Sequence, residues 1–330
     1  MNRRPLLAAA ILAGCSLCAR GDDAPLKVSY QLDWYPAPEH GGHYQALVKN
    51  YYRDAGLDVT ILPGGPGALA VLKVATGRVD IAMGRCDDII LAAKQGLPVV
   101  IVGAQMEHDP QAILLHDESP VRSLKDLAGH TVMCRIGDGW ISFIEQRYGI
   151  SFKQIPLDYG FGRFMADKDF IQQCFISNEP YMVEKQGVRT RALLICDGGY
   201  DPYRVIFTSQ AFARRHPDAV RGFVAATIRG YQEFLHGDAA AARALIQKEN
   251  PEMTQDVMDY SIGAMKKYRL VEGDPSKGER IGLITPERMK AMVQVMIGLK
   301  ALDSPLDLDS FVSFAYLPPG FPGKVAPSQP

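Results

Sequence analysis

The chain has 330 residues, 36 Lys and Arg against 37 Asp and Glu, and 47% hydrophobic residues. Near-neutral charge excludes a nucleic-acid binder that works by phosphate neutralisation, and with only 22% charged residues a largely disordered chain is excluded too. The length suits two domains, or one large domain with a substantial core.

The first element is an address. Met1-Asn2-Arg3-Arg4 is basic, and the aliphatic run from Leu6 to Ala13 is too short to span a bilayer, so residues 1–14 read as an export signal. Leu12-Ala13-Gly14-Cys15 resembles a bacterial lipobox, which makes Cys15 the expected lipidation site; an ordinary cleavable signal is the alternative. Arg3-Arg4 also fits a twin-arginine signal. Removing residues 1–14 takes both arginines and leaves a charge of −3. Residues 15–25 would tether an exported chain to the membrane through its lipid. Cys18 lies in that tether, whereas Cys86, Cys134, Cys174 and Cys196 stand singly at or near the ends of apolar runs. None has zinc-ligand spacing, so buried thiols are expected and no metal or cofactor is.

Beyond the tether, strand and helix patterns alternate. Strands are expected at 27–32, 57–62, 79–83 and 98–104, with helices at 41–54, 68–76 and 87–95. A second block begins near Gln111, with strands at 112–115, 130–134, 153–157, 170–175 and 192–196 and helices at 123–128, 140–148 and 179–186. A strand at 203–207 hands the chain back, and 210–302 reads as helical. The class is therefore α/β with mainly parallel sheets. An interrupted first domain fits best: residues 26–107 plus 206–316 form one lobe, 108–205 the other, and 317–330 a loose Pro-rich tail. Ligands of such sheets bind where the carboxyl ends of the strands face a cleft.

Gln31-Leu32-Asp33-Trp34-Tyr35-Pro36, His40-Gly41-Gly42-His43-Tyr44, Tyr51 to Val59 and Pro63-Gly64-Gly65-Pro66 resemble the opening of the NMT1/THI5-like solute-binding proteins. Ser123 to Gly129 and Asn178-Glu179-Pro180-Tyr181 resemble later segments of that family. The resemblance covers about residues 26–235. It implies a type II periplasmic binding protein, with two lobes joined by two crossovers that close on a small molecule. It further implies an extracytoplasmic receptor for an ABC importer, acting as a monomer with permease and ATPase subunits. The implied ligand is a planar heterocycle, above all a thiamine-type aminopyrimidine; sulfonate, nitrate, taurine and flavin ligands are the alternatives.

Candidate site residues follow. Trp34, directly after the first strand, can stack on a flat ring, or pack as a core residue. Asp33 can accept from a ring amino group or cap a loop, and Glu179 can do the same or simply favour a helix N-terminus. Tyr35 and Tyr159 can close an edge of the site; packing explains Tyr159 and Phe161 equally well. Arg85 and Arg135 each follow a strand and could clamp an acidic substituent, or be solvated. His40, beside His43, lies where related pyrimidine synthases use a histidine, which makes an enzyme the rival reading. That reading needs a nearby pyridoxal-bearing lysine and a Cys-rich motif, but Lys27 and Lys49 are the nearest lysines to His40 and no Cys-rich run occurs. A hydrolase lacks its Gly-x-Ser-x-Gly elbow, and a scaffold without a ligand leaves the two aromatic-lined blocks unexplained.

Overall fold

The structure is a computed structural model that describes residues 24–321. The expectations for residues 1–14, Cys15, Cys18 and residues 322–330 lie outside the described residues. The chain begins with β1 (Leu26–Gln31), α1 (Gly41–Val48), α2 (Tyr51–Asp54), β2 (Leu57–Leu62), α3 (Ala70–Ala75), β3 (Ile81–Arg85), α4 (Cys86–Lys94) and β4 (Val99–Met106). It crosses into β5 (Gln111–His116), β6 (Thr131–Cys134), α5 (Gly139–Tyr148), β7 (Lys153–Pro156), α6 (Gly162–Ala166), β8 (Ile171–Phe175), α7 (Glu179–Glu184) and β9 (Thr190–Leu194). It then returns as β10 (Arg204–Ser209), followed by α8 (Gln210–Arg215), α9 (Pro217–His236), α10 (Ala240–Glu249), α11 (Gln255–Lys267) and α12 (Pro286–Gly298).

Two five-stranded sheets result, ordered β2-β1-β3-β10-β4 and β7-β6-β8-β5-β9. Each is mixed. β1 runs parallel to β2 and β3, and β6 parallel to β7 and β8, but β10 is antiparallel to both its neighbours and so is β5. The reversed strands are the two next to the crossovers, where the chain enters a sheet from the other lobe rather than over a helix of its own lobe. Arg204 and Val205, expected in the second lobe, belong to the first sheet, because their backbones pair with Arg85 and Gly84.

Sequence chemistry accounts for the local details. The helix expected over 41–54 breaks in two at Asn50, whose φ of 60° lies in the left-handed region that Asn tolerates. α1 packs on α9 through paired glycines; a Cβ on Gly230 would stand 2.0 Å from the Gly42 carbonyl oxygen. β4 is an edge strand that is buried along its whole length, covered by residues 311–313: Ile101 donates to Phe311 O and accepts from Ser313 N. That cover removes a hazardous open edge. The chain stays docked past Leu317, which is buried, and Arg280 stacks 3.9 Å from the Phe321 ring centroid while donating to Gly320 O. Residues 317–321 are therefore anchored rather than loose. Cys86, Cys134 and Cys174 are buried free thiols and Cys196 is partly exposed.

Candidate ligand cleft

The carboxyl ends of β1, β3 and β4 meet the second lobe, and the contacts there are polar at the base and aromatic at the mouth. Trp34 follows β1, and its ring lies 5.0 Å from that of Tyr159, which reaches across from the second lobe. Tyr35 meets Trp34 edge-on at 5.4 Å and is itself half exposed, as is Tyr159. Tyr159 holds φ at 62°, a conformation that costs a bulky residue about 1 kcal/mol or more and that its loop sustains. Asp158 Oδ1 accepts from Gly160 N at 2.9 Å to fix that loop. Phe161 lies partly buried on the main core.

Asp33 is committed to the protein. Its Oδ2 accepts from Arg204 Nη1 at 3.0 Å and its Oδ1 lies 3.3 Å from His40 Nε2. His40 Nδ1 accepts from Ala37 N, which assigns the proton to Nε2 and makes His40 a donor to Asp33. Burial pushes the Asp33 carboxyl up, but the His40 hydrogen bond and the Arg204 charge outweigh it and hold it below its ordinary value. Both Asp33 oxygens therefore have a protein partner. His43 is a core residue, between the hydroxyls of Tyr30 and Tyr52, and burial lowers its pKa to about 3.

Arg85 and Arg135 do come together, around one carboxylate. Arg85 is 3% exposed and pairs with Asp87 of its own lobe through Nε and Nη2, at 3.1 and 2.6 Å. Across the cleft its Nη1 donates to Gln111 Oε1 at 3.0 Å and lies 3.3 Å from Asp138 Oδ2. Arg135 Nε stands 3.1 Å from Asp138 Oδ1, and its Nη2 3.6 Å from Asp88 of the first lobe. Two guanidiniums thus face three carboxylates, Arg85 buried and Arg135 half exposed.

Acceptors, by contrast, are in surplus. Glu179, at the start of α7, accepts from Phe175 N through Oε2, and burial raises its pKa to about 7, with the charge of Glu39 adding to the rise. Glu39 belongs to the short 3₁₀ turn Pro38–His40 and accepts from Ser177 Oγ of the opposite lobe. Its carbonyl is held by Tyr231 Oη at 2.6 Å and Gln105 Nε2 at 3.1 Å. Asn178 Oδ1 and Gln105 Oε1 are buried without a hydrogen-bond partner. Sequence reasoning missed Glu39, Gln105 and Ser177; only Glu39 left a trace, as an acid beside His40.

Both crossovers are pinned. His108 puts Nδ1 2.7 Å from Asp201 Oδ2 and Nε2 3.1 Å from Glu279 Oε2, which joins the outgoing crossover to the returning one and to the helical arm. Arg288 Nη2 donates to Asp201 Oδ2 at 2.9 Å. A cavity of about 370 Å³ beside this hinge is lined by Glu107, Tyr203, Glu279, Thr285 and Arg288 among others. Among the described residues no group of three or more His, Cys, Asp or Glu side chains is placed to hold a metal ion, and no helix is long and apolar enough to cross a membrane.

Residues 37–241 match the family described as NMT1/THI5 like. The chain belongs to this family. It is 26% identical over 275 residues to the formylaminopyrimidine-binding protein of Halalkalibacterium halodurans, covering 79% of this chain and 83% of that one. It is 27% identical over 219 residues to the riboflavin-binding protein RibY of Chloroflexus aurantiacus, covering 63% of this chain and 62% of RibY. Among solved structures, the alkanesulfonate-binding protein SsuA of Xanthomonas axonopodis pv. citri, bound to MOPS, superposes with a TM-score of 0.65 at 14% identity. That match covers 89% of this chain and 99% of SsuA. This NMT1/THI5-like chain therefore has the two-lobed α/β fold of the periplasmic binding proteins.

Proposed function

We propose that this NMT1/THI5-like protein is an extracytoplasmic receptor of an ABC importer, tethered through a lipid on Cys15, that captures an aminopyrimidine of the thiamine-precursor type. The observation that carries the ligand class is the imbalance in the cleft. Arg85 and Arg135 are matched by Asp87, Asp88 and Asp138, while Glu39 of the first lobe and Glu179 and Asn178 of the second offer acceptors, and Trp34 and Tyr159 meet across the lobes. Such walls favour a flat ring edged with N–H donors over a sulfonate or nitrate, whose oxygens need unpaired cations. In this reading Trp34 and Tyr159 cover the ring faces, Tyr35 closes an edge, and Glu179 accepts from an amino group. Asp33, His40, Arg85 and Arg135 hold the walls in place. The receptor works as a monomer with permease and ATPase subunits that sense the closed lobes.

A flavin-type ligand is the second reading. The aromatic pair at the mouth favours it equally, because an isoalloxazine is planar and carries a ring N–H.

The test is a titration of the protein from residue 15 onward with hydroxymethyl- and formylamino-aminopyrimidines, read by tryptophan fluorescence and melting temperature. Quenching with a raised melting temperature is expected, since a ligand at 100 times its Kd stabilises the folded state by about 2.7 kcal/mol. Response to riboflavin alone would move the ligand to the second reading. Response to sulfonates or nitrate alone would remove both.

A further inference from the structure

The bond between Glu39 and Ser177 connects lobes through side chains 138 residues apart, one in each wall of the cleft. Its two ends are anchored differently. Glu39 belongs to the first lobe, where Tyr231 and Gln105 fix its carbonyl and Pro38 and His40 fix the turn on either side. Ser177 follows β8 and leads into α7, so it leaves with the second lobe when the cleft opens. Opening therefore strips Glu39 of its hydroxyl donor and gives its carboxylate to water, and closure over a ligand removes that water and buries the carboxylate again. Such a carboxylate needs a new donor. Glu179, two residues beyond Ser177 at the start of α7, belongs to the second lobe and feels the charge of Glu39.

We infer that Glu39 is the specificity-determining residue of the cleft, exchanging Ser177 for the donor edge of the ligand and so selecting a heterocycle that is protonatable or carries N–H donors on more than one edge. This rests on the receptor reading above and narrows its ligand class. A ring with a single donor edge leaves one of the two facing carboxylates unmatched. An acidic ring of the same shape meets like charge on both sides, which disfavours it further. An amidine-type edge, in which a ring nitrogen and an exocyclic amino group sit side by side, can serve one carboxylate while a second substituent serves the other.

The experiment compares Glu39→Gln, Glu39→Asp and Ser177→Ala with the wild type, by calorimetric titration with aminopyrimidines, oxopyrimidines of the same shape and pyrimidine carboxylates. Expected are a loss of aminopyrimidine affinity of about tenfold or more in Glu39→Gln, partial retention in Glu39→Asp, and equal or tighter binding in Ser177→Ala, which frees Glu39. A bond that only holds the lobes together predicts instead that Glu39→Gln and Ser177→Ala weaken binding alike. That result, or unchanged affinity in Glu39→Gln, overturns the inference and leaves the receptor standing. Preference of the wild type for carboxylates, or no response to any donor-bearing ring, removes the ligand reading and the inference with it.

Discussion

Arg204 Nη1 lies 3.0 Å from Asp33 Oδ2, while its Nε stands 3.2 Å from Asp109 Oδ2 in an ion pair without hydrogen-bond alignment. One guanidinium thereby joins the end of β1, the outgoing crossover and the first residue of β10, and it lies over the Phe175 ring of the second lobe at 4.8 Å. Arg204→Ala would leave Asp109 buried and unpaired, so a loss of about 3–5 kcal/mol in denaturant unfolding is expected. Asp33→Asn keeps an acceptor for only one of Arg204 and His40, but leaves Arg204 beside Asp109 and strands no buried carboxylate, so it should cost less. Equal, small losses in both variants would show that Arg204 is not the keystone of this junction.

Protons held at the hinge set the direction of the pH dependence. Burial pushes Glu107 up to about 9, against the opposing charge of Arg288 and with Glu279 and Asp201 adding to the rise. His108 is raised: burial opposes its charge, but Asp201 and Glu279 outweigh it. Both groups bind a proton more tightly in the folded state, so their contribution is complete at low pH and is lost as pH rises through the folded values. Glu107 alone should make stability fall from about pH 4.5, its ordinary value, to about 9, by about 1.4 kcal/mol per pH unit. Glu107→Gln should flatten that slope in melting curves; an unchanged slope would refute the assignment.

Glu179 makes a separate prediction, for binding rather than folding. Its carboxyl titrates near 7, and ionisation turns Oε1, the oxygen not taken by Phe175 N, from the site of an O–H into a charged and stronger acceptor. Affinity for a neutral aminopyrimidine should therefore rise from pH 6 to 8 and level off above. In Glu179→Gln the rise should vanish, which a titration at three pH values would reveal.

Much of the frame was legible in the sequence because it is local. Leu57–Leu62 is strand over the very residues that alternate, and the crossover strands follow from where one block of strands stops. The cleft was legible only in part. Trp34 and Tyr159 could be singled out as aromatics in irregular segments, but their meeting brings together residues 125 positions apart, and no periodicity reports that. Asp87, Asp88 and Asp138 stand near Arg85 and Arg135 in the sequence and so already suggested that the two charges are offset, but that Asp138 meets Arg85 as well as Arg135 rests on a contact between lobes that spacing does not report. Glu39 was missed for a similar reason: an acid in the first turn of a short helix suggests dipole complementarity, and only the facing lobe shows its partner.

Trp34 supplies a spectroscopic handle. The other tryptophan, Trp140, is fully buried in the core of the second lobe, so ligand-dependent emission should come from Trp34. Trp34→Ala should abolish the quenching and weaken binding by about tenfold or more, from lost stacking and lost apolar contact together. Tyr159→Ala should weaken binding less, since Tyr159 is half exposed, and should leave the quenching in place. Quenching that survives Trp34→Ala would place the ligand elsewhere.

The charge balance at the base of the cleft can be tipped on purpose. Asp138 faces both arginines and Asp88 faces Arg135, so the double variant Asp88→Asn with Asp138→Asn leaves Asp87 alone against two guanidiniums. Arg135, already half exposed, then has no carboxylate within reach. Sulfonate or sulfate binding should appear in the double variant at about the millimolar level, worth roughly −4 kcal/mol, and should weaken with added salt. Aminopyrimidine affinity should change less, because Glu39 and Glu179 are untouched. Tight sulfonate binding by the wild type, unaffected by the double substitution, would show that the arginines were available all along and that the carboxylates do not set the ligand class.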